Sequence, residues 1–308
     1  MKKEKNKTFI YDHVKACKPV DVEELPDIYL NRRLAAPIVK LLLNTKITPN
    51  QVTVVSLIIG IAGGILLLNN HISPIYSAFL IYLALILDCV DGGLARNRDQ
   101  ASLSGRILDG LVDYLNTTCY FIVMIGFSLE NLGENHSLII WLLGIGATLS
   151  TLVHSVLYDY YKNLYIAFAI KDYDESIDSI DEINNEYREA KIHKEWTKII
   201  TLGIYTLYLK IQDIFVSSPD KSKASGFRDD EFDEAFAVVY RRHHRKLTRA
   251  WSFLGPTAHV TVISITSLIA AFDPRAFIYC FIVFTAIMNP YLLVVFIFQY
   301  RNSKKTKK

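Results

Sequence analysis

Residues 87–116 read LDCVDGGLARNRDQASLSGRILDGLVDYLN, and four of their five aspartates (Asp88, Asp91, Asp109 and Asp113) are regularly spaced at the ends of two apolar, membrane-like stretches. Written as a pattern, the segment is D-x2-D-G-x2-A-R-x8-G-x3-D-x3-D, and it runs from Asp88 to Asp113. Ionisable side chains at membrane depth are costly, so they persist mainly where they line a wet cavity, hold a cation or meet a charged substrate. Four carboxylates close together suggest a bound metal.

Around this segment, the composition assigns the chain to the membrane class. Of its 308 residues, 51% are hydrophobic and 21% are charged, and the mean hydropathy is +0.22. Apolar runs long enough to cross about 30 Å of hydrocarbon occur at residues 50–69, 74–94, 107–129, 136–160, 252–272 and 276–299. The runs lack the alternation of barrel strands, so they predict an all-α polytopic bundle with six transmembrane helices. The first run has no cleavage signal, and we expect it to stay in the mature chain.

Lysine and arginine are distributed unevenly among the connecting segments. Lysine and arginine occur in residues 2–7, 95–106, 165–250 and 301–308, whereas residues 69–74 and 130–137 carry neither residue type. Arg275 is an exception to the alternation. The positive-inside rule therefore predicts that both termini and the acidic segment are cytoplasmic, at the inner or plasma membrane if the source is prokaryotic. The basic flanks favour contact with membrane lipids. They lack the aromatic interleaving of a nucleic-acid platform, so no nucleic acid is expected as a partner.

The segments outside the spans complete a four-part division. We expect an arm at residues 1–24, an amphipathic interfacial helix with spans one to four at 25–164, a cytoplasmic helical insertion at 165–250, and spans five and six with a basic tail at 251–308. The amphipathic helix covers residues 25–45, with Arg32, Arg33 and Lys40 among its polar positions. Within the insertion, residues 199–216 are predicted to be an interfacial or packed helix, and a break is predicted at residues 217–226.

Helical spacing brings the motif aspartates onto shared faces. Asp88 and Asp91 are three apart at the end of the second span, and Asp109 and Asp113 are four apart at the start of the third. The two faces can meet as a four-carboxylate cluster. Oxygen ligands of this kind suit Mg²⁺, Mn²⁺ or Ca²⁺ and do not suit zinc, and the four scattered cysteines have no metal-ligand spacing.

Small residues and an arginine accompany the acids. Gly92 and Ala95 leave room for a ligand, Arg96 offers a fork suited to phosphate oxygens, and Gly105 would permit close helix packing. A plainer explanation is that the acids pair with Arg96, Arg98 and Arg106 in structural salt bridges. That explanation suits any single acid better than the whole set, because four acids in fixed register with small residues exceed what charge balance needs.

At every specified position the segment from Asp88 to Asp113 resembles the signature of the CDP-alcohol phosphotransferases, also called CDP-alcohol phosphatidyltransferases. Residues 32–53, RRLAAPIVKLLLNTKITPNQVT, also resemble the amphipathic helix and first-span start of that family. The resemblance covers about residues 27–160, while the last two spans fit by hydropathy alone. It implies an integral membrane enzyme of phospholipid biosynthesis, which moves a phospho-alcohol group, such as phosphatidyl from CDP-diacylglycerol, to an acceptor alcohol and releases CMP.

Individual roles also follow from the resemblance. It implies that Asp88, Asp91 and Asp109 bind two divalent ions, Mg²⁺ or Mn²⁺, with Asp113 beside them as a further metal contact and as the catalytic general base. It further implies a homodimer, and binding of the CDP-linked donor by a set of residues on the first three spans and their loops. That set comprises Gly92, Ala95, Arg96, Gly105, Asn50 and Thr53.

Alternatives remain open for the substrates and for the class of protein. The donor could instead carry a CDP-linked headgroup that is transferred to a lipid or soluble polyol. A divalent-cation transporter could use the same acids, but such a path favours mid-membrane acids and repeated or broken helices. The acceptor could meet a basic cluster that could equally hold lipid headgroups; its members are Arg241, Arg242, His243, His244, Arg245, Lys246 and Arg249. His154 and His259, inside spans, are interpreted as hydrogen-bonded packing residues.

Overall fold

The computed structural model of the protein describes residues 9–69, 73–133, 136–171, 180–215 and 232–305. These residues form helices and turns, and no strand occurs among them, which confirms the all-α prediction. In chain order the α-helices are α1 (His13–Ala16), α2 (Arg32–Leu42), α3 (Pro49–Leu66), α4 (Pro74–Asn97), α5 (Leu103–Leu132), α6 (Ser137–Ala169), α7 (Ile180–Ile192), α8 (Trp196–Phe215), α9 (Glu234–Trp251), α10 (Pro256–Ala270), α11 (Ala276–Ile282) and α12 (Met288–Lys305).

Six stretches of the described chain are long and apolar enough to cross a membrane, which confirms the predicted number of spans. They are α3, α4, α5, α6, the stretch Glu234–Ala270 that holds α9 and α10, and the stretch Ala276–Lys305 that holds α11 and α12. The protein is an integral membrane protein. Helix α8 is not among the six, in line with its prediction as an interfacial or packed helix. The predicted break at 217–226 and the basic residues 2–7 lie outside the described residues.

Helix starts follow local sequence signals. Thr48 and Gln51 form a reciprocal capping box ahead of α3, and Pro49 occupies its first turn. Ser73 and Pro74 begin α4 in a similar way. Ser102 caps α5 by accepting a hydrogen bond from the backbone N–H of Gly105 at 3.1 Å. The start of α5 is therefore set six residues before Asp109, and Asp109 lies on its second turn.

The chain divides into two compact units. The first comprises Met1–Ile145 with Val260–Cys280, and it contains α1 to α5. Here α3 packs against α4 and α5, while α2 packs against α4. A Cβ atom built on Gly60 would lie 2.5 Å from Oδ1 of Asn116 and 2.6 Å from the hydroxyl of Tyr120. Glycine at position 60 thus permits the close approach of α3 and α5.

The second unit comprises Gly146–His259 with Phe281–Lys308. Its core includes Trp251, which is stacked on Tyr161 with ring centroids 4.5 Å apart and donates from Nε1 to Gln299 Oε1 at 3.3 Å. Helices α7 and α8 form a packed pair. The four-part division expected from the sequence stays a prediction.

The amphipathic segment before the first span is helical but less regular than expected. It consists of a π-helical turn at Asp27–Asn31 followed by α2. Arg33 and Lys40 are exposed, as the pattern predicts. The prediction is wrong for Arg32, whose side chain is buried because it forms an ion pair with Glu23.

Candidate active site

Three motif aspartates from two helices meet in the first unit. Asp88 and Asp91 lie on α4 and Asp109 lies on α5. One carboxylate oxygen from each lies within 4.8 Å of the others. Asp113, one turn further along α5, is close enough for its charge to act on both Asp88 and Asp91. The two predicted helix faces therefore do come together.

The hydrogen bonding of the cluster is incomplete. Asp91 is 4% exposed. The hydroxyl of Thr53 donates a hydrogen bond to Oδ2 of Asp91 at 2.5 Å. Oδ1 of Asp88 and Oδ1 of Asp109 are buried and have no hydrogen-bond partner among the described residues. Buried polar atoms are normally satisfied, and carboxylates packed this closely repel one another unless a cation or proton intervenes. An all-oxygen donor set of this kind fits a hard divalent cation.

Arg96, in the last turn of α4, and Arg98, directly after α4, make their hydrogen bonds to backbone carbonyl oxygens. Arg98 donates to the carbonyl oxygens of Leu42, Leu43, Thr45 and Ile47, at 2.5 to 3.0 Å. It thereby satisfies carbonyls at the end of α2. Arg96 donates from Nε and Nη2 to the carbonyl oxygen of Ala16, at 3.1 and 2.7 Å. The hypothesis that the motif acids serve to pair with arginines in structural salt bridges is therefore not supported for Arg96 and Arg98.

The predicted donor-binding residues fall into three groups. Thr53 is buried against Asp91. Asn50 is exposed at the start of α3, and its Oδ1 is 3.5 Å from a Cβ built on Gly105. Gly105 thus approaches α3.

The third group lies on α4. A Cβ built on Gly92 would be 3.2 Å from Nη2 of Arg96, so the guanidinium lies against the glycine. Ala95 is half-buried. The sequence assigned Arg96 to phosphate oxygens, and here the backbone of the N-terminal arm occupies two of its donors.

The sequence does not predict the contacts that the N-terminal arm makes with the end of α4. Besides the contact between Ala16 and Arg96, the backbone N–H of Asp12 donates to Asn97 Oδ1 at 2.8 Å, and Lys15 forms an ion pair with Asp99. Burial raises the pKa of the neighbouring Cys17 thiol. No local pattern marks these contacts, since they join residues about 80 positions apart.

The histidines and the basic cluster lie in the second unit. On α9, Arg241, Arg242 and His243 are exposed, but His244 is 1% exposed and stacks on Tyr240. His244 is thus a packing residue within the cluster. His154 bonds Asn289 Oδ1 through Nε2 at 2.9 Å, as interpreted from the sequence. His259 is a packing residue, with its ring centroid 5.2 Å from that of Phe284. The interpretation as a hydrogen-bonded residue is wrong for it, because neither of its ring nitrogens has a hydrogen-bond partner among the described residues.

Comparison with known proteins agrees with the motif. Residues 46–171 match the sequence model of the CDP-alcohol phosphatidyltransferase family. The matched region contains α3, α4 and α5 with all four motif aspartates. These residues are a CDP-alcohol phosphatidyltransferase domain, and the family resemblance is confirmed.

Among curated proteins, the chain is similar to the "Bifunctional IPC transferase and DIPP synthase" of Thermococcus kodakarensis (strain ATCC BAA-918 / JCM 12380 / KOD1). The two are 38% identical over 85 residues, which is 28% of this chain and 19% of that relative. The chain therefore spans about a fifth of the length of the curated relative it matches.

Proposed function

We propose that the protein transfers a phospho-alcohol group, of the phosphatidyl type, from a CDP-linked donor such as CDP-diacylglycerol to the hydroxyl of an acceptor alcohol, with release of CMP. The observation that supports this most is the meeting of Asp88, Asp91 and Asp109 within 4.8 Å inside a CDP-alcohol phosphatidyltransferase domain. Two of these acids present a buried oxygen that has no hydrogen-bond partner in the described part of the chain. A site of this kind fits a reaction in which a charged diphosphate must be held.

Asp88, Asp91 and Asp109 would hold two divalent ions, Mg²⁺ or Mn²⁺, with Asp113 as a further contact. Such ions, when bound, supply positive charge that neutralises the donor diphosphate and the departing CMP. The hydroxyl of Thr53 holds Asp91 in one orientation through its 2.5 Å hydrogen bond.

Asp113 would act as the general base. It lies near the other three acids, as its charge interactions with Asp88 and Asp91 indicate, but outside the group of three. It would take the proton of the acceptor hydroxyl, whose oxygen then bonds to the β-phosphorus of the donor. The bond from that phosphorus to the bridging oxygen breaks, and CMP leaves with the electron pair. The proton on Asp113 then passes to water.

The nucleotide end of the donor would bind beside Gly92, Ala95 and Arg96, with Gly105, Asn50 and Thr53 on the α3 side. The proximity of Asn50 to Gly105 supports a donor contact on the α3 side. Arg96 would reach a phosphate with the donors that the carbonyl of Ala16 leaves free. Since Arg carries five N–H donors, both contacts can coexist.

Orientation and assembly belong to the same proposal. The distribution of lysine and arginine supports cytoplasmic termini and a cytoplasmic active site. The chain would act as a homodimer, by the family resemblance. A C-terminal reporter that is active only in the cytoplasm tests the orientation, and an inactive reporter at Lys308 would contradict it.

The activity is tested by incubating purified protein with radiolabelled CDP-diacylglycerol, Mg²⁺ and a panel of alcohols. The panel includes inositol, inositol phosphate, glycerol phosphate and serine, and the readout is CMP release. A second series uses CDP-linked headgroups with diacylglycerol, which covers the alternative donor. The matched control is Asp113→Asn. If no combination releases CMP above that control, the transferase assignment is wrong.

A further inference from the structure

A group of buried polar side chains joins the segment before α2 to the motif helix α4. We call it the α2–α4 polar cluster, and its members are Glu23, Asp27, Asn31, Arg32, Tyr82 and Cys89. Glu23 is 2% exposed and Arg32 is 8% exposed. Removing charges from water is costly even when they are paired, so such a group calls for a physical reason.

Arg32 uses its guanidinium to connect two parts of the chain. Nε and Nη2 donate to Oε1 of Glu23 at 2.9 and 2.8 Å, while Nη1 donates to the carbonyl oxygen of Cys89 at 2.9 Å. The second oxygen of Glu23 accepts from the backbone N–H of Lys18 at 2.5 Å. The ion pair is thus anchored on the N-terminal side and directs one donor onto the backbone of α4.

Cys89 is held a second time through its thiol. Its Sγ donates to Oδ1 of Asp27 at 3.4 Å, and Asp27 also accepts from Asn31 Nδ2 at 2.8 Å. The hydroxyl of Tyr82 donates to Asn31 Oδ1 at 2.7 Å. Asp27 and Asn31 belong to the π-helical turn before α2, a feature that often occurs at functional sites.

The position of Cys89 gives these contacts a consequence for the metal site. Cys89 follows Asp88 directly and precedes Asp91 by two residues, so it lies on the turn of α4 that carries two of the three acids. The rotation of that turn decides whether both carboxylates face Asp109. Groups that orient metal ligands commonly change metal affinity when they are removed.

A contribution to stability alone is the simpler explanation. A buried ion pair often contributes little net stability, because an apolar pair of similar volume can replace it without loss. The bond to Cys89, by contrast, is directional and cannot be supplied by an apolar side chain. Stability and ligand orientation can therefore be separated by substitution.

We propose that Glu23 and Arg32 are positioning residues of the metal site, which hold the Cys89 turn of α4 so that Asp88 and Asp91 face Asp109. The proposal rests on the proposed function, because it presumes that these acids bind metal. Glu23 and Arg32 lie outside the matched region 46–171, whereas Cys89 lies inside it. The cluster thus joins a part of the chain that the family model does not match to the family domain.

The test compares Mn²⁺ binding with thermal stability in purified, chelator-treated protein. Arg32→Met removes the positive charge that faces the buried carboxylate of Glu23, so we expect a lower Tm and Mn²⁺ binding weakened about ten-fold. The double variant Glu23→Gln with Arg32→Met removes both charges. It is expected to recover Tm towards the wild type while Mn²⁺ binding stays weakened. Mn²⁺ dissociation constants are measured by electron paramagnetic resonance, without substrate and without turnover.

Two further variants complete the series. Lys15→Met breaks the exposed ion pair between the arm and Asp99, which follows α4, and it should leave Mn²⁺ binding unchanged. Arg32→Lys keeps the buried charge but loses the planar guanidinium fork. We therefore expect weaker Mn²⁺ binding at a Tm near that of the wild type. If the double variant does not fold, this variant alone tests the positioning role.

Recovery of Mn²⁺ affinity together with Tm in the double variant would overturn the positioning role, as would wild-type affinity in Arg32→Lys. If the wild-type protein itself binds no Mn²⁺, the proposed metal site fails, and the positioning role fails with it. The two failures are thus distinguished by the wild-type measurement.

Discussion

The acidic side chains of α4 and α5 and the basic side chains of α9 differ in burial. Asp91 is 4% exposed, and Asp88 and Asp109 each present a buried oxygen without a partner among the described residues. Arg241, Arg242 and Arg245 are exposed. Exposed charges interact weakly with any one partner because water and salt screen them, whereas buried and crowded charges persist only for a specific counter-charge. Burial, more than charge, thus distinguishes a candidate catalytic site from a basic flank.

The largest effect is expected from removing a carboxylate of the cluster. Asp88→Ala or Asp109→Ala should lower CMP release by at least about 100-fold, because each removes a metal ligand. The Tm of the chelator-treated protein should stay the same or rise, because one source of like-charge repulsion is gone. Activity and thermal unfolding are measured on the same preparation. Wild-type turnover in either variant would remove these acids from the metal site.

The packing of α3 against α5 is tested by two glycine substitutions. Gly60→Ala places a Cβ within 2.6 Å of atoms of Asn116 and Tyr120, so we expect a loss of stability of about 1–3 kcal/mol. Gly110→Ala is the matched control, because, apart from the adjacent backbone of α5, no atom of the described residues lies within 4 Å of a Cβ built there. It should keep the midpoint of unfolding or raise it slightly. Equal midpoints for the two variants would mean that α3 and α5 do not approach as closely as described.

Removing the hydrogen bond from Thr53 to Asp91 should lower activity less than removing a carboxylate. Thr53→Val is nearly isosteric and removes the hydroxyl, so we expect a decrease in kcat/KM of about ten-fold. Thr53→Ser retains the hydroxyl and should stay within about two-fold of the wild type. The metal concentration for half-maximal activity should rise in the valine variant. Identical values in both variants would show that the contact does not orient Asp91.

The smallest effect is expected from neutralising exposed basic side chains of α9. Arg241→Gln combined with Arg242→Gln removes two exposed charges of α9, and kcat/KM should change by less than about two-fold in neutral detergent. The assay is repeated at several acceptor concentrations. A ten-fold increase in the KM of a phosphorylated acceptor would instead assign α9 to acceptor recognition, which would weaken the contrast between the two regions.

Local spacing accounts for the parts of the site that the sequence predicts. Asp88 with Asp91, and Asp109 with Asp113, follow helical periodicity, so the spacing alone assigns each pair to one helix face. The role of Arg32 could not be predicted, because Arg32 and Arg33 occupy similar positions in the amphipathic pattern and only the fold buries one of them. The contact of Arg96 with Ala16 is equally hidden, since it depends on where the arm packs.

The metal dependence of CMP release is the most direct measurement of the proposed chemistry. Purified protein, treated with a chelator and supplied with CDP-diacylglycerol and the best acceptor of the panel, should release no CMP above the Asp113→Asn control. Mg²⁺ or Mn²⁺ should restore release in the wild type and fail to restore it in Asp88→Ala. Full CMP release in the chelated protein, or restoration in Asp88→Ala equal to that in the wild type, would contradict a catalytic metal site at these aspartates.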